Sequence, residues 1–195
     1  MNKQKETFEE KQPLLTFAKS GRCRIAIYIG EETETVSNRI GEEEETTEER
    51  TVYAYNVGWL TPGNGVKITN EEEALAAIKA DLIAQITAYD TSDAVNSFTL
   101  QGKQMWLPKE TRVGLVNSIT IEKNAGKETT TLWFGGERYE LPVDTALQML
   151  AALELYALEC YNVTAAHKAA INALESVEDV VAYDYTTDYP EKLNF

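Results

Sequence analysis

His167 is the only histidine in the 195-residue chain, and it lies seven residues beyond Cys160, one of two cysteines. A thiol beside an imidazole is the smallest set that can run nucleophilic catalysis, the ring drawing off the thiol proton. Such a pair needs direct hydrogen-bond contact. Seven residues along one helix separate two side chains by about 10 Å, too far for that bond. The stretch around Asn162–Val163 also reads as a break between two helices. The expectation is a buried, structural Cys160 and a His167 on a helix surface.

Glu154 and Glu159 could be paired as acid and base, but residues five apart do not share a helix face, so solvent-edge positions or salt bridges are expected. A carboxylate metal site in a helix bundle needs Glu-x-x-His pairs, and the sequence has none. The glycines of "GNG" and "GG" lack the strand–loop–helix setting and trailing lysine that phosphate binding requires. No serine elbow and no zinc-ligand cluster appears. The sequence therefore predicts no catalytic residue, no metal and no cofactor. What remains is a group of aromatics. Trp106 sits on one short hairpin; Trp133, Phe134 and Tyr139 sit on another. Two readings stay open: they plug the core between hairpins and helices, or they form an exposed patch for a partner or ligand.

These residues must be positioned by surrounding elements, and hydrophobic period locates them. "RCRIAIYI" (22–29) and "TVYAYNVGWL" (51–60) read as strands, with a weaker one at 33–40, while residues 1–20 read as polar and loose. A helix is predicted over about 70–89, capped by Thr69 or Asn70, with three glutamates at its positive end. "SFTLQGKQMWL" (97–107) reads as a hairpin turning at Gln101–Gly102. A helix over 108–125 follows, with Val113, Val116 and Ile119 as its apolar face and Gly126 as its stop. "TTTLWFGGERYELPV" (129–143) is a second hairpin, turning on Gly135–Gly136 and ended by Pro142. Both its faces carry bulky apolar groups, so one is expected on the following helix and the other on the first hairpin, with Trp133 meeting Tyr139 or its neighbour across the strands. If the second contact is missing, the exposed aromatics are expected to form a subunit or partner interface. Helices are predicted at about 144–160 and 164–175, the latter capped by Thr164, and Ser176 and Asp179 can box a short fifth one.

The formal charge is −14. That disfavours nucleic-acid binding and attachment to an anionic membrane, both of which need clustered Lys and Arg. Residues 31–50 hold nine acids against Arg39 and Arg50, a net of −7, so half the charge sits in a tenth of the chain. A solvated hairpin tip or loop is expected there, with 41–49 the most exposed part. It lacks the spaced Asp/Asn ligands and fixed glycine of a calcium loop. Two unpaired cysteines and the lack of an apolar leader or long apolar run point to a reduced, cytoplasmic setting.

From about residue 86 onward the chain carries a string of motifs. They are "F-x-x-x-G-x-x-x-W" at 98–106, "TR" at 111–112, "W-x-x-G-x-x-Y-x-L" at 133–141, "AL-x-x-L" at 146–150 and "TAAHK" at 164–168. These words and the closing "AYDYTTDYPEKLNF" resemble a domain of unknown function in phage and prophage proteins of gut bacteria, often encoded near tail-fibre and tail-assembly genes. The resemblance implies no activity and no catalytic residue. It implies a tail-associated structural or assembly role, with tail or tail-fibre proteins as partners and incorporation into the particle as an option. Self-association is expected instead from the aromatics, should they be exposed. Residues 1–85 carry no resemblance. The expected fold is α+β: a small antiparallel sheet with one helix over 1–90, then a mainly helical module with two short hairpins over 91–195. Two alternatives to a tail component are a tail assembly chaperone and a small-ligand or glycan-binding module using the tryptophan hairpins.

Overall fold

The computed structural model describes residues 3–40, 44–61 and 66–195, with backbone only for 37–40 and 44–46. The fold is α+β. The chain divides into two compact units, Met1–Leu82 with Ala173–Tyr183, and Ile83–Asn172 with Asp184–Phe195. A single cut near residue 90 does not contain this division, because the chain returns to the first unit after the second.

The first unit is a four-stranded antiparallel sheet in the order β1-β4-β3-β2, built from β1 (Lys3–Phe8), β2 (Leu15–Phe17), β3 (Cys23–Ile40) and β4 (Glu44–Leu60). One face buries Cys23, Ile25 and Leu60 against Ala74 and Ile78 of helix α1 (Glu71–Asp90) and Val177 and Val180 of helix α4 (Val177–Ala182). The other face gathers Ala26, Tyr55 and Val57 beside Phe8. The start of α1 is capped in both directions. Asn70 Oδ1 accepts from the Glu73 amide at 2.9 Å, and the Glu73 carboxylate accepts from the Thr69 amide at 2.7 Å. At α4 the serine half of the expected box is present, Ser176 accepting from the Asp179 amide, while its hydroxyl donates to the Asp179 carboxylate at 2.6 Å.

Two expectations change here. Residues 3–8 and 15–17 are not loose but edge strands. β1 is nearly all exposed, so "KQKETF" shows no apolar alternation, yet it pairs with 53–58 of β4 and sets Phe8 edge-on to Tyr55 at 5.8 Å. The weak strand at 33–40 is the outer half of β3 itself. Beyond a bulge between Tyr28 and Gly30, and once past the end of β1 opposite Tyr53, β3 and β4 run on as a two-stranded ribbon to Ile40 and Glu44. Most of the acidic stretch therefore lies on ribbon arms. Its backbone register sets Glu34 opposite Arg50 and Arg39 opposite Glu45, and Arg50 makes an ion pair with Glu34 at 2.8 Å. Residues 47–50 are exposed; 41–43, where the tip was expected, lie outside the described residues.

The second unit holds two separate hairpins. β5 (Phe98–Leu100) pairs with β6 (Lys103–Met105), and β7 (Thr129–Phe134) with β8 (Glu137–Pro142). Both turn on two residues of positive φ, Gln101–Gly102 and Gly135–Gly136, as a two-residue hairpin that matches strand twist requires. Helix α2 (Lys109–Asn124) starts after Pro108 and ends with Gly126 at φ 77°, whose amide reaches the Lys123 carbonyl.

The long helix corrects the sequence reading. α3 runs unbroken from Val143 to Ala173, 31 residues, through Asn162–Val163. Thr164 is no cap; it is buried mid-helix. β-Branched Val and Thr with Asn lower helix propensity only weakly, and packing along α3 outweighs that. Among the described residues no helix is long and apolar enough to cross a membrane.

The core of this unit joins Phe98, Leu100 and Leu107 to Leu132, Phe134 and Tyr139 and to Ala146, Met149, Leu150 and Leu153 of α3. One face of the second hairpin thus meets both α3 and the first hairpin. Its other face does not pack as expected. β7 alternates with Thr130, Leu132 and Phe134 inward, leaving Trp133 66% exposed. Trp133 stands opposite Arg138, while Tyr139 lies across from Leu132 on the buried face.

Candidate functional site

Because α3 is continuous, Cys160 and His167 do share one buried helix face, two turns apart. His167 is thus interior rather than on the surface. Its Nε2 lies 3.0 Å from the Thr187 carbonyl, and its ring packs on Tyr189. Between the two sits Thr164, whose hydroxyl donates to Asp90 Oδ1 at 2.7 Å, leaving the Tyr189 hydroxyl, 2.9 Å away, to donate to Thr164. Tyr156 donates to the Val95 carbonyl at 2.6 Å. These bonds tie the end of α1 and the C-terminal segment to α3. Burial pushes both the Cys160 thiol and the Tyr156 hydroxyl up from their ordinary values, so the thiolate a nucleophile needs is disfavoured. The cluster is a set of internal ties.

The four aromatic candidates do not form one patch. Phe134 and Tyr139 are core residues, 5.9 Å apart between ring centres. Trp106 is half-buried, edge-on to Tyr156 at 6.2 Å and beneath the guanidinium of Arg112. Only Trp133 faces outward, flanked by the Arg138–Glu140 ion pair.

The larger feature escaped the sequence reading. On α2 the buried positions are Arg112 and Ile119, while Val113 and Val116, expected inside, are 48% and 36% exposed. The cause is pairing of a buried charge. Arg112 donates from Nε to Glu154 Oε2 at 2.8 Å and from Nη1 to the Leu107 carbonyl at 2.6 Å, and it stacks on Trp106. A guanidinium so satisfied can take the inward position that hydrophobicity alone assigns to valine. The helix is turned accordingly, and Val113 and Val116 become one wall of a groove between α2 and α3.

That groove holds about 640 Å³, with Leu147 and Ala151 on the α3 side. A second hollow of about 330 Å³, lined by Lys109, Leu158 and Tyr161, continues past the Arg112–Glu154 pair. Along its rim α3 exposes Leu155 at 68%, Leu158 at 55% and Tyr161 at 66%. The available signal was the composition of α3: a helix apolar on most of its circumference either lies at the centre of a core or carries a second apolar face to be covered. Neither Trp106 nor Trp133 lines the groove. Among the described residues no group of three or more His, Cys, Asp or Glu is placed to hold a metal ion.

No known family, curated protein or solved structure matches this chain. Its own geometry therefore carries the functional reading.

Proposed function

We propose that the chain is a non-enzymatic, tail-associated structural or assembly protein of a phage or prophage, acting through protein–protein contacts. The observation that carries this reading is the uncovered aliphatic groove of α2 and α3, walled by Val113 and Val116 and rimmed by Leu155, Leu158 and Tyr161. A surface of that kind marks a contact to be covered by another protein. The Arg112–Glu154 ion pair is internal to this surface, and the rest of its lining is mostly aliphatic. The motif string at 98–168 supports the tail setting, and the protein would work in the host cytoplasm or in the finished particle.

The test is mass spectrometry of particles purified from the native phage or prophage, beside particles made without this chain. Recovery at fixed stoichiometry supports a structural role. Absence from the particle with tails failing to form supports an assembly chaperone. Normal, infectious particles made without it would overturn the proposal, as would a hydrolase or transferase activity abolished by Cys160→Ala or His167→Ala.

Trp133 favours a second reading, a glycan-binding module, since an exposed indole beside Arg138 can stack on a sugar ring. Glycan-array binding lost in Trp133→Ala and retained in Leu155→Glu would decide for it.

A further inference from the structure

We infer that the α2–α3 face is a self-association surface, on which a second copy of this chain lays the rim of its own α3. The inference rests on the reading of this face as a protein contact and names its occupant.

The first reason is shape. The face carries a groove and a ridge side by side. Val113 and Val116 wall the groove, while Leu155, Leu158 and Tyr161, each three residues from the next, form the ridge. Rows of side chains three apart are the ridges that helices seat in the grooves of their neighbours. A two-fold axis through such a face sets each ridge in the other copy's groove, which is the isologous arrangement of a symmetric dimer.

The second reason is extent. The five side chains together expose on the order of 500 Å², at the upper end of what a monomer leaves uncovered, and with a polar rim this approaches the ~800 Å² per partner of a standard interface.

The third is charge. A chain of net −14 repels its own copies, so a copy can approach only where acid is compensated. On this face the lining charges are Lys109, Arg112 and Glu154, with Arg112 and Glu154 already paired. Half of the net charge lies instead at 31–50. With that pair closed, Lys109 is the one lining charge left on the face among the described residues, so an apolar partner answers it better than a strongly acidic or basic one.

The experiment is sedimentation or light scattering of the full chain across concentrations. A dimer is expected, and Leu155→Glu and Val116→Glu, one on the ridge and one on the wall, should each weaken it at least tenfold. Unchanged circular dichroism and thermal unfolding would show both variants folded, as substitution at exposed positions permits. Trp133→Ala, at an exposed aromatic that does not line this groove, should leave the dimer intact. A wild-type chain that stays monomeric to roughly 100 μM, or a dimer untouched by both glutamates, overturns the inference. Incorporation of Leu155→Glu into particles separates this from the broader reading. If the chain is monomeric and the variant fails to enter particles, the face serves a different protein and only the second-copy assignment falls. If the variant enters normally as well, the contact reading falls with it.

Discussion

Two antiparallel ribbons in this protein meet opposite fates. In the first unit β3 and β4 run past the bulge at Tyr28/Gly30 as a ribbon whose side chains, where described over 31–36 and 47–51, are exposed or nearly so. In the second unit β7 and β8 form a ribbon of six residues a side that buries Thr130, Leu132, Phe134 and Tyr139. A lone two-stranded ribbon is marginal in water. The short one draws its stability from α3 and the first hairpin. The long one is held mainly by exposed ion pairs, Glu34–Arg50 across its strands and Arg50–Glu9 and Lys5–Glu32 to the segment that begins with β1. Length of pairing and strength of anchoring are separate properties, and here they run in opposite directions.

The largest effect should come from removing that anchor. Leu132→Ala should cost about 3 kcal/mol in urea unfolding, whereas Trp133→Ala, one residue along the strand and on its outer face, should stay within about 0.5–1 kcal/mol. Similar losses for the two would contradict the one-sided packing of the hairpin.

Next is the ionisation of Cys160. Its thiol is harder to ionise in the folded chain than in the unfolded one, so its contribution is complete below the ordinary thiol value of 9.0 and is lost as the pH rises through the raised value. Buried Tyr156 acts in the same direction at higher pH. Stability followed from pH 8 to 11 should decline, and Cys160→Ala, itself destabilising, should flatten the first part of the fall. An unchanged slope in the variant would show that the thiol is not the group titrating.

Proteolysis tests the ribbon more gently. A glutamate-specific protease should cut the native protein at Glu48 or Glu49, exposed on a weakly anchored arm, before any site in 98–180. First cuts at Glu122 or Glu137 would reverse the comparison. The smallest effect is expected for Arg50→Ala. It removes an exposed partner of Glu34 and Glu9, so it should speed cleavage of the ribbon while barely moving the unfolding midpoint of the chain.

The legible part of this structure is the part with local causes. The strand within 22–29 follows from period-two alternation, and that at 51–60 from its β-branched and aromatic residues. Both hairpin turns follow from glycine, the start of α1 from Asn70 and Glu73, and the stop of α2 from Gly126. Each of these signals acts within a few residues, so the chain alone determined them. The candidate site was only partly legible: the sequence picked out Trp133, which does face solvent, beside Phe134 and Tyr139, which do not.

Tertiary packing decided the rest. The edge strand at 3–8 exists because β4 offers it backbone partners, and "KQKETF" contains no sign of that. α3 runs through Asn162–Val163 because its buried residues, Cys160, Thr164, His167 and Ile171 among them, gain more from packing than weak helix formers lose. Arg112 points inward because Glu154, forty-two positions away, and the carbonyl of Leu107 satisfy its charge, and that single rotation of α2 turns Val113 and Val116 outward to make the groove. Hydrophobic period predicts which residues prefer to be buried. Where a buried charge finds its partners far along the chain, only the folded structure says which face yields.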